Sequence, residues 1–111
     1  MRKRKWSWFF KEANEENQLL LINFKKHLQM RDLKESSIFD YQKEIYRLML
    51  YFQKKNIKTL EVTTDDIKEY LDTMDVSEAR MTRLISVLNR FYRHNYKKGY
   101  IKENPIENIK K

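Results

Sequence analysis

Apolar residues recur at helical spacing in four stretches of the 111-residue chain. Leu20, Phe24 and Leu28 repeat every fourth residue, with Leu21 beside them, and predict a helix over about Glu15–Met30. Ile38, Tyr41, Ile45, Leu48 and Phe52 step by three, four, three and four, the cleanest amphipathic stripe, and predict a helix over about Glu35–Lys55. Asp32 and Glu35 have capping-box spacing, with Asp in the usual Ser/Thr place. Asn56 suits the left-handed stop after this helix. Ile67, Tyr70, Leu71 and Met74 mark a short helix over about Asp65–Met74, with Thr63 and Asp66 as its capping pair. Leu60 and Val62, just before it, are expected to pack as a loop over the core. Met81, Leu84, Ile85, Leu88, Phe91 and Tyr92 predict a helix over about Glu78–Lys98, opened by Ser77. Gly99, the only glycine, falls where a helix stop needs positive φ. Pro105 prevents simple continuation of a helix, so 104–111 is expected to be an exit linker. Short connections favour antiparallel neighbours, the first helix with the second and the third with the fourth. The expected fold is all-α: a compact four-helix bundle of two antiparallel pairs, covering residues 15–103.

Composition narrows the class. Gly and Pro occur once each, which excludes the turn-rich sandwiches and barrels. Hydrophobic residues at 41% and aromatics at 14% supply one modest core, too much for a disordered chain. There is no Cys, so disulfides and thiolate metal sites are excluded. No apolar run approaches the roughly 20 residues that span a bilayer. Met1–Phe10 has the charged front of a signal peptide, but its apolar part is about five residues against the roughly 7–15 required. A cytoplasmic protein is expected, with no membrane partner. Residues 1–14 form a candidate basic arm, with Arg2, Lys3, Arg4 and Lys5 followed by Trp6, Trp8, Phe9 and Phe10. It is open between an arm that touches phosphates and stacks an aromatic, and a frayed end.

Charge brings in a partner. Lys and Arg total 24 against 16 for Asp and Glu, a net +8 and a pI near 9.6. Such a field attracts polyanions, of which nucleic acid is the commonest; a chain kept dispersed by its lysines is the plainer alternative. The fourth predicted helix carries a second stripe, Arg83, Ser86, Arg90, Arg93 and Lys97, stepping by three, four, three and four. Arg80 lies near its N-terminal end, and Asn89 beside it offers hydrogen bonds to a base or phosphate. An α-helix fits the major groove, where Arg grips guanine or phosphate with two hydrogen bonds. A merely solvated face is the alternative. Lys34, Ser36, Ser37, Lys43 and Arg47 make a weaker surface at the start and middle of the second helix. The two serines suit either phosphate contact or helix-start chemistry.

Catalytic patterns are missing. His27 and His94 stand far apart and neither has metal-ligand spacing to a second ligand. One glycine cannot make a phosphate-cradling loop. The seven tyrosines mostly occupy apolar stripes, where core packing is their default role. No catalytic residue, metal, cofactor or small-molecule ligand is therefore expected.

The order of pieces from about Gln18 to Ile109 resembles the N-terminal core-binding domain of tyrosine recombinases, the phage-integrase and Xer-type enzymes. Phe24 and Leu28 match an apolar helix end, and Ser37 with Tyr41 a hydroxyl residue four before a tyrosine. Val62-Thr63-Thr64-Asp65-Asp66-Ile67-Lys68-Glu69-Tyr70-Leu71 follows, then Ile85-Ser86-Val87-Leu88-Asn89-Arg90-Phe91-Tyr92, and then Gly99-Tyr100-Ile101-Lys102-Glu103-Asn104-Pro105. The chain departs from the family pattern at Lys34, where a capping Ser is frequent, at Arg80, in place of Thr, and at Asn89, in place of Arg. The resemblance implies a SAM-like domain that clamps double-stranded DNA at a core site together with a separate catalytic domain. It implies duplex contact through the second and fourth helices, a catalytic Arg, Lys, His and Tyr in the other domain, and contact between neighbouring protomers through the first helix. The implied process is DNA integration or site-specific recombination, with no catalysis by this domain itself. A stand-alone DNA-binding regulator and a basic protein-interaction module are the rival readings.

Overall fold

Each stretch of helical period becomes a helix in the computed structural model, which describes residues 9–109. The helices are α1 (Glu15–Met30), α2 (Glu35–Lys54), α3 (Thr64–Asp72) and α4 (Glu78–Lys97), with a single 3₁₀ turn at Thr59–Glu61 between α2 and α3. No strand occurs among the described residues. None of their helices is long and apolar enough to cross a membrane.

The helix ends follow local chemistry. At α3 the Thr63 N–H donates to Asp66 Oδ2 at 2.9 Å and the Asp66 N–H donates to Thr63 Oγ1 at 3.1 Å, a closed capping box. Ser77 Oγ accepts from the Arg80 N–H at 3.2 Å and opens α4. Asn56 takes φ +61° after α2 and Gly99 φ +83° after α4. In both places the next N–H reaches back five residues, Ile57 to Phe52 O and Tyr100 to Asn95 O. The box expected from Asp32 and Glu35 does not form. Asp32 sits at φ +62° and ends α1, donating its N–H to Gln29 O. Lys34 is the N-cap of α2, without a side-chain bond. The link between the helices is so short that Asp32 serves as a stop and has no room to serve as a start.

Leu21, Phe24 and Leu28 of α1, Ile45, Leu48 and Met49 of α2, and Leu88, Phe91 and Tyr92 of α4 are fully buried together. Burying side chains of this size removes roughly 1.5–3 kcal/mol of exposure each. Tyr92 is also tied by its hydroxyl, which donates to Thr59 O at 2.8 Å. The contacts give the helix directions. Asn17, near the start of α1, donates its amide to Gln53 at the end of α2, and Gln42 donates to Leu21 O. Glu44 of α2 lies at Arg80, while Tyr41 lies at Arg90 further along α4. So α2 runs antiparallel to both. Phe24 meets Phe91 and His27 meets His94, so α1 and α4 run parallel. The architecture is the expected all-α, four-helix bundle. Within it, α4 finds its main partners in α2 and α1 and leans less on α3. The physical reason is area: a nine-residue helix cannot cover the apolar stripe of a twenty-residue one. α3 instead rests Tyr70 against Tyr51 and Phe52 of α2.

Both ends of the described chain fold onto this body. Phe10 has no exposed surface; its ring meets Tyr46 at 4.9 Å and Phe39 at 5.7 Å. Gln18 donates to the Phe10 and Ala13 carbonyls, and Gln53 to that of Glu12. Phe10 and Ala13 thus join the core, and the 9–14 segment is docked on the body rather than detached from it, while residues 1–8 of the expected arm lie outside the described residues. Pro105 and Ile106 are buried too. Thr64 Oγ1 donates to Pro105 O at 2.7 Å, and Asn104 Oδ1 accepts from the Ile106 N–H. Through Ile109 the expected exit linker is part of the folded unit. These segments are too short to display a period, so their apolar side chains gave no sign of where they dock.

Candidate nucleic-acid interface

The amphipathic pattern of α4 turns Leu84, Leu88 and Phe91 inward. Helix geometry then turns Arg83, Ser86, Arg90, Arg93 and Lys97 to one common side. Arg83, Ser86, Arg93 and Lys97 are exposed, while Asn89 and Arg90 are half-buried. Beside this face lies a cleft of about 390 Å³. Its α4 wall consists of Ser86, Asn89, Arg90, Arg93, His94 and Lys97. His27 and Arg31 close it from the end of α1, and Tyr41 from α2. Among the described residues, no carboxylate lines it. Arg31, Arg90, Arg93 and Lys97 therefore face one concavity with no compensating acid on its walls.

Several contacts hold these groups in place. The Arg90 guanidinium lies 5.7 Å from the centre of the Tyr41 ring, a cation–π contact that orients the head while leaving its donors available. Asn104 donates to Asn89 Oδ1 at 3.4 Å, linking the C-terminal segment to the cleft wall. The rings of His27 and His94 stack with centroids 4.2 Å apart and planes 28° from parallel. Phe24 backs His27 at 6.3 Å. Burial, the neighbouring His27 and Lys98 push His94 down to about 4. Burial, then Arg31, Arg90, Lys97 and Lys98, lower His27 from its ordinary value. Both imidazoles are consequently neutral at pH 7, each with one donor and one acceptor nitrogen.

The other residues expected at the interface have different surroundings. Arg83 is exposed on the same side of α4 but outside the cleft. Arg80 turns to α2 and binds Glu44 Oε2 at 2.9 Å. Arg47 approaches Glu44 Oε1 at 3.5 Å, so two arginines attend one carboxylate that is only 8% exposed. Lys43 pairs with Asp40 at 3.6 Å and lies over the Phe39 ring. Lys34, Ser36 and Ser37 form the start of α2, Ser37 half-buried and the other two exposed. Ser37 precedes Tyr41 by one helical turn, so it lies on the side of α2 that leads to the cleft. Sequence reasoning overlooked His27, Arg31, Tyr41 and His94 as wall residues. His27 and Arg31 are four apart on α1, a readable signal, but only the parallel packing of α1 and α4 brings them to the arginines.

The family model described as "Phage integrase, N-terminal SAM-like domain" matches residues 21–99, from α1 to the end of the turn after α4. Among curated proteins, a tyrosine recombinase XerD of Rickettsia conorii is 27% identical over 82 residues, covering 71% of this chain and 27% of that protein. A tyrosine recombinase XerD of Rickettsia bellii is 28% identical over 82 residues, with the same coverage of both chains. The chain thus spans about a quarter of the length of these relatives. No solved structure matches it.

Proposed function

The chain belongs to the family of phage-integrase N-terminal SAM-like domains, and on that premise we propose that it is the DNA-gripping half of a site-specific tyrosine recombinase or integrase. The single observation that carries this reading is the acid-free cleft in which Arg31, Arg90, Arg93 and Lys97 converge beside α4. Four cations on a concave wall hold phosphates, and the adjoining arginine face of α4 has the width to enter a major groove. Arg83, Ser86, Asn89, Arg90, Arg93 and Lys97 of α4 are the proposed contacts, with Lys34, Ser36 and Ser37 at the start of α2 as a second point of touch. Lys43, Arg47 and Arg80 stand lower in this proposal, because each already has a carboxylate partner within the domain.

The proposed role is grip rather than chemistry. The cleft offers cations and hydrogen-bond donors that hold an anion, and no group of three or more His, Cys, Asp or Glu gathers among the described residues to hold a metal. Strand cleavage is assigned to a catalytic domain of the kind that the family resemblance implies. Contact with neighbouring recombinase protomers on DNA is part of the same proposal and would use α1, where Leu19 and Met30 are exposed on one side.

A salt titration tests the reading. Labelled duplex DNA is mixed with the chain and binding followed by fluorescence anisotropy. Binding should be tight at low salt and weaken with a slope near −0.9 per phosphate neutralised. No measurable duplex binding at low salt would refute the proposal and favour an acidic protein as the partner of the basic face.

A further inference from the structure

We propose that the stacked His27–His94 pair makes the cleft a proton-coupled phosphate clamp: a backbone phosphate of duplex DNA held by Arg31, Arg90 and Lys97 draws a proton onto the pair, so the grip tightens as pH falls. The inference rests on the DNA-binding reading above and adds a regulated contact to it.

The geometry of the free protein keeps the pair neutral. The ring centroids are 4.2 Å apart, so charging both rings would set two cations face to face. Among the described residues, every charged group that shifts them is basic. Arg31 approaches from the end of α1, and Arg90, Arg93, Lys97 and Lys98 from α4 and its cap. α2 contributes Tyr41, which is neutral, and no acid lines the cleft. Burial adds to the effect, and both histidines are depressed accordingly. The first proton on either ring is therefore disfavoured.

An entering phosphate reverses the sign of that environment. Opposite charge within about 4–6 Å favours the charged form of a titratable group. The anion also offsets the arginine and lysine charges that had excluded the proton. Once protonated, the pair gives a further N–H donor and a charge-assisted hydrogen bond to the same oxygen acceptors. Proton uptake on binding and stronger binding at lower pH are then two views of one equilibrium. The association constant can rise by up to about tenfold per pH unit for each proton taken up.

The experiment measures the dissociation constant of the full chain for one duplex at constant ionic strength, from pH 7.5 to pH 5.5. The expected result is a gain in affinity of about tenfold or more over the two units. The double substitution His27→Gln and His94→Gln should flatten the slope, whatever its affinity at pH 7.5. Calorimetry of the unsubstituted chain gives a readout that needs no variant: its binding enthalpy should change between buffers of different ionisation enthalpy, which reports proton uptake. A flat pH profile, no buffer dependence, or an undiminished slope in the double variant overturns the clamp and leaves the DNA-binding reading intact. Absence of duplex binding at both ends of the pH range overturns the two together.

Discussion

Replacing Arg90, Arg93 and Lys97 by alanine removes three of the four side-chain cations on the walls of the cleft and leaves Arg31. If each neutralises one phosphate, the four contribute about −3.6 to the slope of log K against log salt, and the triple variant retains about −0.9 of that. Between 50 and 200 mM salt this part of the affinity falls about 150-fold in the unsubstituted chain but only about 3- to 4-fold in the variant. The difference, about 2.7 in slope, is large enough to survive contacts elsewhere on the face, including Arg83. The measurement is duplex binding by anisotropy at four or five salt concentrations for both proteins. Helical content by circular dichroism serves as the control. It should hold, because alanine is the strongest helix former and none of the three residues belongs to the buried core. A variant that is still helical and binds with the unchanged slope would refute the assignment of phosphates to this cleft. A parallel variant carrying Arg83→Ala, Arg90→Ala and Arg93→Ala extends the test beyond the cleft to the whole arginine side of α4.

Three further outcomes follow from the same contacts. Phe10→Ala should destabilise the domain by about 3–5 kcal/mol in urea unfolding, the usual range for a fully buried phenylalanine; a change near zero would return residues 9–14 to the status of an arm. Arg80→Ala should cost about 1–3 kcal/mol, because the buried Glu44 keeps only the more distant Arg47. Its salt slope for DNA should stay as it was, and the opposite pattern, full stability with weakened DNA binding, would place Arg80 at the duplex. In the free protein, stability should be full above about pH 6.5, the ordinary value for histidine in the unfolded chain. It should decline as pH falls toward 4, since His94 is depressed to about 4 and His27 is also lowered, and the unfolded state then binds more protons. Urea midpoints between pH 7.5 and pH 5 check this, and His94→Gln should weaken the dependence; identical profiles would contradict the neutral stacked pair.

The family match over residues 21–99 takes in the stretch from Val62 to Leu71 that carried the resemblance, and stops at Gly99, where the last quoted segment begins. The match begins only at residue 21, so it does not reach Phe10, which is nonetheless part of the core.

Local interactions made much of this legible in advance. A helical period is a property of neighbours three and four apart, so the four helices and the arginine side of α4 stand in the sequence itself. The same holds for the Thr63–Asp66 box, the Ser77 cap, and the positive-φ stops at Asn56 and Gly99, each closed within a turn or two. What distant residues do to one another was decided only by packing. Arg80 and Arg93 look alike on paper, yet Glu44 claims one and the open cleft keeps the other. Phe10 and Ile106 find their burial against helices they do not neighbour in the chain. His27 and His94 acquire a joint chemistry because α1 lies parallel to α4, and no spacing along the chain encodes that adjacency.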